Sequence, residues 1–173
     1  MKRNKTAGRL AAMLSGIGLT GAALFATAGP AQAYSPNPVP YNYSYDADNC
    51  PCSGGSLTDP FDGTYFAHDA GGRANKTEIY SDGWFIGKVE FHPHDEKLWI
   101  YDTKNDGDTF YVKAEYRSGG VTRSLGTFSA PGTSAVVDYT VKDLDLPEGA
   151  GVILWLYDDE GGSDYFGSGS GIA

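Results

Sequence analysis

The chain has 173 residues with 13 basic and 22 acidic side chains, a net charge of −9, and 40% of its residues are apolar. A chain this acidic repels nucleic acid and anionic membrane surfaces, and favours cations or basic partners.

Residues 1–33 read as a secretory signal. Lys2, Arg3, Lys5 and Arg9 form a basic start, an uncharged stretch runs from 10 to 28, and Ala31-Gln32-Ala33 supplies the small-x-small end that the peptidase pocket accepts. Cleavage is expected between Ala33 and Tyr34. The rival reading is a retained anchor, since about 19 uncharged residues can span a bilayer. Gly, Ser and Thr dilute that stretch, which favours cleavage and a secreted, extracellular product released from the membrane. Removing 33 of 173 residues leaves 140, the size of one domain with a real core. The product keeps nine basic residues against 22 acidic ones, a charge of −13.

Residues 34–56 are rich in Pro, Asn, Ser and Tyr and lack apolar periodicity, so an irregular N-terminal arm is expected. From 57 to 160, short alternating runs separated by turn residues carry the all-β signature. Strands are expected at 64–68, 76–80, 84–91, 97–103, 109–117, 121–128, 134–141 and 151–157. Lys104-Asn105-Asp106-Gly107-Asp108 is expected to join the fourth and fifth as a hairpin, because Asp-Gly supplies the positive φ of a tight turn. Ser118-Gly119-Gly120 makes the next turn. The Gly- and Ser-rich tail, 161–173, is expected to fray.

The period-two pleat assigns faces. Phe110, Val112, Ala114 and Tyr116 point one way, opposite Tyr111, Lys113 and Glu115. Ala135, Val137, Tyr139 and Val141 likewise oppose Asp138, Thr140 and Lys142, and are expected to be buried. The run from Val152 to Tyr157 is apolar on both faces and belongs in the centre of a sheet or under the arm. The fold class that satisfies these patterns is a two-sheet antiparallel β-sandwich of about eight strands, immunoglobulin-like or jelly-roll-like.

Asp102-Thr103, Asp106-Gly107-Asp108 and Phe110-Tyr111-Val112 together resemble a stretch in small secreted β-sandwich proteins of actinobacteria. The resemblance covers roughly 30 residues, and its motif is hairpin chemistry. It implies the same fold and compartment, and transfers no functional residue.

Four constellations carry candidate chemistry. Cys50 and Cys52 flank Pro51; a local disulfide, a bridge to a second chain and a thiolate metal site all stay open. His92-Pro93-His94 resembles the opening of a cupin metal motif, but Leu98 and Trp99 stand where its Glu belongs and no later His exists. That excludes the cupin reading and leaves a surface zinc or copper site with Asp95, or a turn with solvated imidazoles. Asp158, Asp159, Glu160 and Asp164 form an oxygen-rich cluster that suits Ca²⁺, and Asp138, Asp143, Asp145 and Glu148 form another. The alternative for both is solvated loop charge; Ca²⁺ is the one cofactor the sequence suggests. Finally, Trp99 and Tyr101 share a face, as do Trp155 and Tyr157. Pointing outward side by side, they would form one aromatic strip for sugars or docked chains; pointing inward, they would pack a second apolar layer.

No catalytic set is recognisable, since Gly167-Ser168-Gly169 has its Ser one place early for a nucleophile elbow. The sequence therefore points to a secreted, non-catalytic binding or surface module for an extracellular polymer or protein. The rivals are a small secreted hydrolase using a carboxylate pair, and a secreted inhibitor or effector.

Overall fold

A computed structural model describes residues 34–54, 63–133 and 136–173. The expected signal, including Ala33, lies outside the described residues. No helix among the described residues is long and apolar enough to cross a membrane.

The fold is organised around one hairpin. β4 (Arg73–Ser81) and β5 (Trp84–His92) are joined by Asp82 and Gly83, with φ of 50° and 79°. Positive φ at both central residues matches the turn twist to the strand twist, which is why Asp-Gly closes it. β1 (Val39–Asp46) pairs along the other edge of β4, Val39 opposite Tyr80 and Asp46 opposite Arg73. β6 (Lys97–Asp102) pairs with β5, and β9 (Asp138–Asp143) with β6, giving the layer β1-β4-β5-β6-β9.

A second layer, β8-β7-β10-β11, is built from β7 (Tyr111–Ser118), β8 (Val121–Phe128), β10 (Gly151–Tyr157) and β11 (Tyr165–Ile172). The two layers form one continuous antiparallel sheet, joined at a corner where Ile172 pairs with Arg73. Between them lies the core. Ile79, Val89, Phe91, Leu98 and Ile100 come from the first layer, and Val112, Ala114, Val152, Leu154 and Leu156 from the second. Burying these aliphatic and aromatic side chains drives the closure, at about 1.5–3 kcal/mol each. A small hairpin, β2 (Cys52–Gly54) with β3 (Thr64–Phe66), lies over the outer face of the first layer. There Phe66, Cys50 and Ala74 make a second cluster with Tyr45 and Cys52.

All eight expected strands are present, and β10 is central, between β7 and β11. Four expectations are corrected. The described part of the expected arm, 34–54, is not irregular, because β1 is paired over its whole length; 55 and 56 lie outside the described residues. The tail 161–173 does not fray; β11 occupies most of it, and Ala173 is anchored to Ala150 and Gly149 by backbone hydrogen bonds of 3.0 and 2.7 Å. Alternate glycines make this possible. A Cβ at Gly169 would meet Asn75 Oδ1 at 2.4 Å, and one at Gly171 would meet Phe91 Cδ1 at 2.4 Å. Small residues there let β11 lie flat on β4 and β5. The sandwich thus extends beyond 57–160 at both ends.

The segment 104–108 is not a hairpin. Gly107 does have a φ of 83°, but β6 pairs with β5 and β9 while β7 pairs with β8 and β10. The segment instead carries the chain from one layer to the other. Lastly, β9 faces opposite to expectation. Thr140 pairs with core residue Ile100, whereas Tyr139 is 60% exposed on the outer face. Val137 is only half-buried and outside the core, and Ala135 lies outside the described residues.

Candidate functional site

The outer face of the first layer reads across the strands in two rows. One row is Tyr43, Lys76, Glu90, Trp99 and Val141; the next is Tyr41, Glu78, Lys88, Tyr101 and Tyr139. Two Lys-x-Glu segments, brought into register by a β-bulge between Ile79 and Tyr80, thereby form a checkerboard of four charges. Lys76 lies 3.0 Å from Glu78, and Lys88 lies 2.7 Å from Glu90. All four side chains are fully buried. Pairing is what permits that burial, since an isolated ion here would cost several kcal/mol, on the order of the whole folding free energy.

The roof comes from residues flanking and within β2 and β3. Lys76 Nζ donates to Gly54 O at 3.4 Å, Lys88 Nζ donates to Gly63 O at 3.2 Å, and Thr64 Oγ1 donates to Glu90 Oε1. Lys88 Nζ also sits 4.5 Å from the centroid of the Tyr101 ring. Burial pushes the Glu90 carboxyl up, but hydrogen bonds from His92, Lys88 and Thr64 prevail and hold it below the ordinary range. Burial lowers Lys76, against the opposing hydrogen bond to Glu78. Glu90 is thus an ionised, enclosed acceptor, whereas a glycosidase-type general acid has to be held protonated.

Beside this quartet the face is aromatic. The Trp99 and Tyr101 rings are 5.9 Å apart and within 11° of parallel; Tyr139 lies 5.9 Å from Trp99, at 28°. His92 bridges inward, its Nε2 3.2 Å from Glu90 Oε2 and its ring against Phe66 and Trp99. A shallow groove of about 330 Å³ opens there, lined by Tyr65, His92, His94, Asp95, Lys97 and Trp99. Tyr65 is 63% exposed at its rim.

Trp99 and Tyr101 are therefore brought together on an outer face, one of the two orientations that the sequence leaves open. Trp155 and Tyr157 are not part of the same strip, which corrects the single-strip expectation. They stand on the outer face of the second layer with Tyr165, and Trp155 Nε1 donates to Glu115 Oε2 at 3.0 Å. The layers separate the pairs because β11, β4 and β5 intervene between β10 and β6.

The acidic cluster is divided between its own turn and the N-terminal segment. Asp159 Oδ1 accepts from the backbone N of Ser163 at 2.8 Å and of Asp164 at 2.6 Å, which holds Asp159 below the ordinary carboxylate range. Asp158 Oδ2 accepts from Tyr34 N, Asp164 Oδ1 accepts from Asn37 Nδ2 at 2.5 Å, and Glu160 is exposed. His94 points to solvent, 3.8 Å from Asp95. Among the described residues no group of three or more His, Cys, Asp or Glu is arranged to hold a metal ion. Cys50 and Cys52 form a local disulfide, with Cα atoms 4.4 Å apart, packed beside Tyr45 and Phe66.

Sequence reasoning missed the quartet, Tyr139 and Tyr65. No local signal marks the first: a regular register about Asp82-Gly83 would set Lys76 opposite Val89, and the β-bulge between Ile79 and Tyr80 is what turns both Lys-x-Glu segments to one face. Tyr139 lies on the face opposite to the one its alternation predicts, and nothing local marks Tyr65. No protein-family model matches the chain, and no curated protein or solved structure matches it.

Proposed function

We propose that this protein is a secreted, non-catalytic module that binds a neutral extracellular polysaccharide on the β5-β6-β9 face. The observation that carries the reading is the row of near-parallel Trp99, Tyr101 and Tyr139 rings beside the Tyr65 groove. Rigid rings give apolar area to sugar faces with little entropy loss, and His94 and Asp95 at the rim supply groups for hydroxyls. The charge of the processed chain favours an uncharged polymer over a polyanion.

The test is co-sedimentation with insoluble neutral polysaccharides. Trp99→Ala and Tyr139→Ala should each weaken binding by about 1–3 kcal/mol, the size of a binding hot spot, while the melting temperature of Tyr139→Ala stays near that of the parent. Tyr157→Ala, on the opposite layer, should bind as the parent does. Unchanged binding of Tyr139→Ala and Trp99→Ala to every polymer retained by the parent would refute the assignment of this face.

A further inference from the structure

Tyr34, the first residue after the expected cleavage site, is built into the end of the sandwich. Its side chain is 8% exposed and belongs to the main core cluster. Its backbone N lies 2.9 Å from Asp158 Oδ2, across 124 residues of chain. Asp158 is fully buried, its own N is held by Asp164 O at 2.8 Å, and its Oδ1 has no hydrogen-bond partner among the described residues. Asn37 pins the same segment to Asp164 at 2.5 Å. The surroundings are acidic: the charges of Asp102, Asp106 and Asp108 raise the Tyr34 phenol, and those of Asp164, Asp108 and Asp159 raise Asp158.

We propose that the α-ammonium group created by cleavage between Ala33 and Tyr34 is a structural ion, seated on Asp158, which locks the processed chain and no longer chain into the sandwich end. This rests on the export reading for the position of the cut. Hydrolysis adds water across the Ala33–Tyr34 peptide bond, leaving a carboxylate on Ala33 and an amine on Tyr34 that takes up a proton below about pH 8. The same nitrogen changes from a neutral amide with one N–H to a cation with three donors. An amide compensates a buried carboxylate poorly, and burial with one such donor pushes Asp158 up to about 6. An ammonium at that position supplies both charge and donors, so the seat is complementary to the product of processing and not to its precursor.

The described fold lies entirely within 34–173, so the test uses chains released from a cleavable tag, without relying on cellular processing. One begins at Tyr34 and the other at Ala33. At pH 6.5 the Tyr34-first chain should melt higher by at least about 3 °C. The gap should shrink as pH rises past the amine's titration, and shrink again as pH falls low enough to protonate Asp158. Asp158→Asn should abolish it; carbamylating the α-amino group of the Tyr34-first chain provides the same loss without a mutation. Equal melting temperatures for the two chains, or a gap that survives carbamylation, overturn the lock. N-terminal sequencing of the exported protein reads the other premise separately. A start at Tyr34 supports it, and any other start overturns the cleavage position and the lock's place in the native protein, whatever the melting data show.

Discussion

Lys88 shows how much one residue can carry on this face. It donates to Glu90 at 2.7 Å and to Gly63 O at 3.2 Å, and covers the Tyr101 ring. Lys88→Met should leave Glu90 buried with reduced compensation and cost about 3–5 kcal/mol in urea unfolding. Adding Glu90→Leu should recover most of that loss, because removing both charges removes the desolvation cost with them. If the double variant is no more stable than the single one, the quartet is not a balanced charge set. Its residues were readable as strand positions, but their burial was not. Lys and Glu are almost never fully buried unless paired; the pairs form within each segment, but their burial depends on the roof that β2, β3 and their flanks bring over them.

At the scale of elements, the sequence located strands well where alternation met a turn. Ser118-Gly119-Gly120 closes the β7–β8 hairpin as expected, with φ of 57° and 79° at the two glycines. Alternation failed where the strand is mostly exposed and carries no apolar face, as in β1, and where the inner face is glycine, as in β11. Those glycines lack the apolar side chains that announce a strand, because the partner backbone and side chains fill the space instead. Gly171→Ala should test this directly, since its Cβ would meet Phe91 at 2.4 Å and Arg73 O at 2.7 Å. A loss of about 1–3 kcal/mol is expected, typical of overpacking, read as a lower urea midpoint. A frayed tail would tolerate the change.

For the whole molecule, the excess of acid has a local consequence at the layer crossing. Asp102 is buried, its Oδ1 accepts from Lys104 N at 2.8 Å, and its Oδ2 has no hydrogen-bond partner among the described residues. Burial pushes its pKa up to about 6. The folded state then binds more protons than the unfolded one between about pH 4 and 6, so this group lowers stability as pH rises through that window. Glu90 works in the opposite sense, adding stability that is lost as pH falls through its lowered folded value. Asp102→Asn should therefore raise stability at pH 7.5 by about 1–3 kcal/mol and flatten the change between pH 5 and 7.5, as measured by thermal melting. A variant less stable than the parent at both pH values would show that the carboxylate is a needed acceptor instead.

Sequence alone determined the all-β class, eight of the strands, the Ser118-Gly119-Gly120 turn and the shared face of Trp99 and Tyr101. Each follows from period-two patterning and turn chemistry, which act over a few neighbouring residues. Tertiary structure decided the rest: which strands are neighbours, which face of β9 is wet, that 104–108 crosses between layers, and that Trp155 lies on the other layer from Trp99. It also decided that Lys76, Glu78, Lys88 and Glu90 meet under a roof and that Tyr34 reaches Asp158. Those arrangements join residues tens of positions apart. Their energies come from burial and charge pairing between separate segments, and no local pattern encodes which segment arrives.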